Sequence, residues 1–218
     1  MKCVVSALRG VSPEGVFVAP RALKYGLFGF MVAVILSQNT SDKNALRAFE
    51  ALAKATGMDP ARVVEEGVDG VKSLIRVAGL AEQRAGRIVE LARMFIDGRM
   101  GDWVCRLGVE EARRFLLSIK GVGDKTADLV LLMYCGLPSF PVDTHIMRVC
   151  SRVCIGRTYR SIRRAFLSVV KDPGALLEAH VKLISIGRIY CRPRRPRCSV
   201  CPLRECCGHA SPPSDNGA

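Results

Sequence analysis

Apolar positions recur along this chain with helical rather than strand spacing. Leu46, Phe49 and Leu52 share one face of Asp42–Thr56, and Ser41-Asp42 supplies a start signal. Leu27–Ser37 is apolar all round, the mark of a central buried helix. Asp59-Pro60 opens another short helix, with the aspartate as N-cap and the proline at the first helical position. The same spacing predicts a short first helix over Pro20–Tyr25. It then predicts helices over Val71–Val77, Ala81–Phe95, Glu110–Ile119, Lys125–Cys135, Asp143–Val153, Arg160–Val170 and Gly174–Ile186. No segment alternates as a strand does, and no internal repeat is visible. The expected fold class is all-α. The tail Ser211–Ala218 is small and polar, and is expected to be disordered.

Composition adds a partner class. The chain has 218 residues, 49% of them hydrophobic, enough for one compact unit or two small domains sharing a cleft. The net charge is +13, and it is uneven. From Val142 to Cys207 there are fourteen Lys or Arg against four Asp or Glu. Such asymmetry points to a polyanion, usually nucleic acid, rather than to solubility alone or a membrane surface. The start lacks a basic region followed by a long apolar run, and the apolar stretch Gly26–Leu36 is too short to span a bilayer. A soluble, cytoplasmic protein without a membrane partner is expected. The ten cysteines then read as ligands or buried thiols rather than a disulfide frame.

Two segments carry candidate chemistry. In Leu117-Ser118-Ile119-Lys120-Gly121-Val122-Gly123-Asp124-Lys125-Thr126-Ala127 a helix ends, two glycines turn the chain, and a second helix begins. Glycine permits left-handed backbone angles and close approach of a ligand. The next helix start presents free N–H groups suited to phosphate, and Lys120 and Lys125 add charge. Alone, such a turn is equally a helix–turn–helix corner. Near the C-terminus, Cys191, Cys198, Cys201 and Cys207 form a C-x6-C-x2-C-x5-C array. Four thiolates at this spacing suit a tetrahedral zinc or a [4Fe–4S] cluster. Cys206 adjoins Cys207 as an alternative ligand. Arg192, Arg194, Arg195 and Arg197, stiffened by Pro193 and Pro196, face outward in this loop as a clamp for phosphates. Cys3, Cys105, Cys135, Cys150 and Cys154 show no partner and are expected in the core.

Leu117-x-x-x-Gly121-Val122-Gly123-x-Lys125-Thr126-Ala127, followed by Pro141-Val142-Asp143-Thr144-His145, resembles the helix-hairpin-helix base-excision glycosylases. Within them it is most similar to the endonuclease III family, over roughly Leu27 to Cys207. That resemblance implies two helical lobes around a DNA cleft: a six-helix barrel over 22–137 carrying the hairpin, and an iron–sulfur domain combining 1–21 with 138–207. Residues 208–218 would be tail. It implies that Gly121, Val122 and Gly123 grip a DNA phosphate, with Lys120 beside them. Lys125 takes the position of the catalytic lysine and Asp143 that of the catalytic aspartate, facing each other across the cleft. It also implies that the cysteine array, preceded by Gly187-Arg188, binds [4Fe–4S].

The chemistry suits those positions. A lysine attacks sugar C1′ only as a neutral amine, and Lys125 stands in the first turn of its helix with Lys120 nearby. Asp143 can accept a proton or stabilise developing oxocarbenium charge, although it is equally placed to cap the helix at Thr144. The loop Leu36–Asp42 resembles the family segment that fills the gap left by a flipped base, which makes Gln38 or Asn39 the filling residue. Leu80 falls at the family's wedge position, against the plainer reading of a core leucine. His145 and His180 are expected to be structural.

Lys120 stands where the family usually has proline, and the order of polar residues in Ser37–Asp42 differs. The implied activity is a glycosylase with AP lyase chemistry acting on oxidised pyrimidines in double-stranded DNA, as a monomer. The rivals are a mismatch thymine or uracil glycosylase, an adenine glycosylase, and a non-catalytic iron–sulfur DNA-binding protein. The enzyme rivals generally lack the lysine.

Overall fold

The structure is a computed structural model and describes residues 1–13 and 18–210. The expected disordered tail, Ser211–Ala218, lies outside the described residues. Among those described there is helix and no strand. The helices are α1 (Lys2–Ala7), α2 (Val18–Ala22), α3 (Gly26–Ser37), α4 (Asp42–Thr56), α5 (Pro60–Ile75) and α6 (Ala81–Ile96). They continue as α7 (Val109–Ser118), α8 (Asp124–Leu129), α9 (Thr144–Arg152), α10 (Tyr159–Val169) and α11 (Pro173–Ile189). The chain divides into two compact units, Val16–Leu137 and Met1–Gly15 with Pro138–Ala218.

In the Val16–Leu137 unit α3 is the core helix. Every residue from Leu27 to Leu36 is buried, and α2, α4 and α6 pack around it. The apolar stretch itself is a 12-residue helix, as short as expected. The longer run Val18–Ser37 reaches 20 residues, with a mean hydropathy of 1.4 over its most apolar 18, only by including α2 and the turn that follows it. Gly26, at φ +68°, breaks the run into two pieces, and the apolar surface of α3 is covered by protein. Helix α4 starts where Ser41 Oγ accepts from Asn44 N and stops at Gly57, whose left-handed φ of 64° closes the last turn. Asp59 caps α5 by accepting from Ala61 N. Gly67 kinks α5 at φ 66°, so the predicted helices at Asp59 and at Val71–Val77 form one bent element.

One charge cluster joins α7 to α8. Asp128 is fully buried, and Arg113 donates to it through Nε at 2.9 Å. Arg113 also donates to Asp124 at the start of α8. Burial alone would lower the Arg113 pKa, but these two carboxylates more than offset it and raise it.

The other unit packs α9 against α10 and α11. Phe140 stacks on Phe166 at 3.9 Å and meets the buried His180 ring edge-on at 6.2 Å. Gly187 lets α11 approach α9, because a Cβ there would fall 2.7 Å from His145 Cβ and 3.2 Å from its Cα. Helix α1, which the sequence pattern did not reveal, is tied to the cysteine loop by a Cys3–Cys206 disulfide. A second disulfide, Cys105–Cys135, closes within the Val16–Leu137 unit. The expectation that Cys3, Cys105 and Cys135 lack partners is therefore corrected. Cys206 is taken up by Cys3, which removes it as an alternative ligand to Cys207.

Replacing Arg113 with methionine strands a buried carboxylate. Arg113→Met is expected to cost about 3–5 kcal/mol of stability, read as a lowered denaturation midpoint. A loss below about 1 kcal/mol, the size of an exposed ion pair, would show that this pair does not hold the hairpin.

Candidate functional site

The GVG turn follows from three local constraints. Helix α7 ends at Ser118, and Val122 N donates back to Ile119 O at 3.0 Å. Gly121 sits at φ +87°, which a residue with a Cβ rarely adopts. Gly123 is extended, at φ −97° and ψ −179°, and caps α8 through its carbonyl, which accepts from Ala127 N. Any residue could adopt that backbone, and a Cβ on Gly123 would meet no protein atom within 4 Å. Its glycine is therefore explained by nothing inside the protein. The open space beside it suits a ligand approaching the backbone. Lys120, Gly121, Gly123 and Lys125 are exposed while Val122 is buried, so the turn is anchored by its middle residue.

Gln38 and Asn39 take separate roles. Gln38 is half-buried, and its side-chain amide reaches Thr126 Oγ1 at 3.5 Å, next to Lys125. Asn39 is exposed and left-handed at φ 50°. Gln38 is held by Arg84, a buried guanidinium on α6 that donates to Leu36 O at 2.6 Å and to Gln38 O. Burial, then the nearby charge of Arg87, lowers the Arg84 pKa. Arg84 was missed from sequence, although it lies on the apolar face of α6 with Ala85 and Ile88. Leu80 precedes α6 with a left-handed φ of 50° and is 58% exposed. The core-leucine reading is thus corrected: the residue projects into solvent from a backbone conformation that leucine disfavours.

Asp143 lies in the other unit and is half-buried. Its Oδ1 accepts from Ile146 N at 2.7 Å, so it does cap α9. Capping fixes the carboxyl group's orientation. The buried His180 Nδ1 pairs with Pro141 O at 2.9 Å and holds the strand of chain that leads to Asp143. His145 Nδ1 pairs with Arg148 at 3.1 Å. Burial first, then Arg148 and Arg188, pushes the His145 pKa below the usual imidazole value, against the pull of Asp143.

Cys191, Cys198, Cys201 and Cys207 are all free thiols lining one small cavity of about 20 Å³. Burial raises the Cys201 pKa against the lowering effect of the Leu203 backbone hydrogen bond, and Cys191, Cys207 and Cys198 raise it further. Among the described residues no three metal-binding side chains sit close enough for a single ion. Two α9 arginines that sequence reasoning missed tie this loop down. Arg148 donates to Cys191 O at 2.7 Å and Gly187 O at 2.8 Å. Arg152 donates to Cys191 Sγ at 3.3 Å, Arg192 O at 2.8 Å and Pro193 O at 3.3 Å. Arg192, Arg194, Arg195 and Arg197 are all exposed.

A model of the HhH-GPD superfamily of base excision DNA repair proteins matches residues 32–172. The chain is 38% identical over 185 residues to endonuclease III of Sulfolobus acidocaldarius, covering 83% of this chain and 81% of that one. It is 34% identical over 182 residues to endonuclease III of Escherichia coli K12, covering 83% and 82%. A non-covalent endonuclease III–DNA complex superposes with a TM-score of 0.76 at 25% identity, covering 96% of this chain and 94% of that one. A thermostable thymine-DNA glycosylase shares the fold, with a TM-score of 0.74 at 20% identity and the same coverage. The chain belongs to the helix-hairpin-helix superfamily of base excision DNA repair proteins and, within it, to the endonuclease III family. It is a DNA-binding glycosylase of base excision repair with AP lyase activity.

The exposure of Leu80 sets a stability test. Leu80→Ala is expected to change folding stability by less than about 0.5 kcal/mol. A core leucine would cost about 2–5 kcal/mol, so a loss in that range, measured by denaturant titration, would overturn the exposed placement.

Proposed function

We propose that this glycosylase removes oxidised pyrimidines from duplex DNA and nicks the resulting strand through Lys125. The observation that carries the reading is Lys125 itself, an exposed amine in the first turn of α8 directly after the GVG turn. Its Nζ attacks C1′ as the C1′–N bond to the base breaks and the bonding pair leaves with the base. The C1′–N bond formed in its place becomes a Schiff base when the sugar ring opens. Loss of a C2′ proton then expels the 3′ phosphate, and water releases the lysine. Asp143, oriented by its cap on α9, stabilises the positive sugar as the base departs. The helix-start amides and the open face of Gly123 receive a phosphate, with Lys120 adding charge. Leu80 and Asn39, exposed and left-handed, fill the stack around the flipped nucleotide, while Gln38 is braced against Thr126.

The four loop cysteines fit a [4Fe–4S] cluster. The free thiols converge on one cavity, and the Arg152 guanidinium neutralises charge at Cys191 Sγ. The cluster would cross-link the loop, and no bond-breaking step passes through it. The loop arginines then form an outward-facing phosphate clamp.

Borohydride reduction should trap wild-type protein covalently on abasic or thymine-glycol duplexes, and Lys125→Gln should abolish trapping while retaining DNA binding. Persistent trapping would sink the nucleophile assignment. Release of thymine or uracil from mismatches with guanine, without release of oxidised pyrimidines, would overturn the substrate reading. Protein purified without oxygen should contain iron and acid-labile sulfide with the visible absorption of an iron–sulfur cluster. Stoichiometric zinc without iron would refute the cluster.

A further inference from the structure

Arg87 is exposed on α6, one turn beyond the buried Arg84. Its side chain lies directly over the hairpin. A Cβ built on Gly121 would come within 3.2 Å of Arg87 Cδ and Nε and 3.7 Å of its Cγ. Gly121 is required for its left-handed backbone, and its lack of a side chain also leaves this arginine in place beside the turn. Arg87 and Lys120 both line a shallow hollow beside the turn, shared with Met31, Ile35 and Met94. Glu90 lies in the same hollow, yet Arg87 forms no ion pair with any described acid. Its charge is felt instead by Arg84.

We propose that Arg87 is a side-chain phosphate contact of the hairpin, acting with Lys120 on the DNA backbone segment received by Gly121–Gly123. The proposal rests on reading that turn as the DNA grip. The aliphatic stem of Arg87 runs beside Gly121, which brings its planar head to the hairpin side of α6. A guanidinium in that place can donate two parallel hydrogen bonds to one phosphate. Lys120 adds a point charge at a position where a proline would supply none.

The test is the salt dependence of affinity for a duplex carrying a tetrahydrofuran abasic analogue, followed by fluorescence anisotropy. Each lost phosphate contact makes log Kd against log salt shallower by about 0.9. Arg87→Leu keeps the stem and removes the charge, so it is expected to show that change with a severalfold weaker Kd. Arg87→Lys should restore most of the slope. Arg87→Leu combined with Lys120→Pro should lose about 1.8. Thermal melts establish that each variant is folded, and Arg87→Gln replaces Arg87→Leu if the latter is not. An unchanged slope in the neutral variant overturns the proposal. So does an equal loss in Arg87→Lys, which would reveal a packing role. Failure of the wild type to bind the duplex at all would instead overturn the reading of the turn as a DNA grip.

Discussion

A buried carboxylate needs a cation and well-formed hydrogen bonds, or it costs several kcal/mol. Asp128 meets that requirement through Arg113, and the geometry of the hairpin follows. The guanidinium comes from α7 and its two acceptors from α8, so the helices cannot slide without breaking a charge pair. Between these fixed helices the chain has few residues in which to reverse. Gly121 supplies the left-handed step, and Val122 buries itself as the anchor. Lys125, one residue after Asp124, inherits its place from the same clasp. The residue that presents the amine and the turn proposed to receive a phosphate are thus positioned by the same clasp.

A second guanidinium does comparable work on the loop that follows α3. Arg84 joins α6 to the end of α3 by occupying the carbonyls of Leu36 and Gln38. Those carbonyls lie where a helix end leaves acceptors unpaired. Satisfying them with a buried charge fixes where the chain leaves α3, and hence where Gln38 and Asn39 point. Leu80 begins the same α6 that carries Arg84. One helix therefore aligns the residues proposed to enter the DNA stack from two separate loops.

These two arginines also mark the limit of what the sequence reveals. Helix α4 was legible to its ends because its signals are local: a serine cap, a stripe of Leu46, Phe49 and Leu52, and a closing glycine. Helix α5 was legible only in pieces, since Gly67 interrupts its period without ending it. Helix α1 was not legible, because its one buried residue, Val4, makes no stripe and its attachment runs through Cys3 to a cysteine 203 residues away. The motif residues Lys125, Asp143 and the four loop cysteines were legible by spacing and resemblance. Arg84, Arg113, Arg148 and Arg152 were not, because a charged residue on a helix reads as a solvated face until its acceptors are known. Asp128 was the available clue: an acid inside the apolar run from Ala127 to Leu132 calls for a buried cation.

Charge counting needs the same correction. The surplus between Val142 and Cys207 signals a polyanion, but not all of it can face one. Arg148 and Arg152 are turned inward onto the carbonyls of the cysteine loop. Lys182 is nearly buried beside Glu178, Lys171 donates to the Leu167 carbonyl, and Arg163 reaches Ser139. Arg192, Arg194, Arg195 and Arg197 remain exposed. The inward set determines where that outward set stands, because Arg152 holds the carbonyls of Arg192 and Pro193 at the base of the arginine loop. A cation turned inward in this way sets the position of the outward arginines without itself facing a phosphate. Salt dependence would count only the second kind, since counterions are released only from charges that meet phosphate.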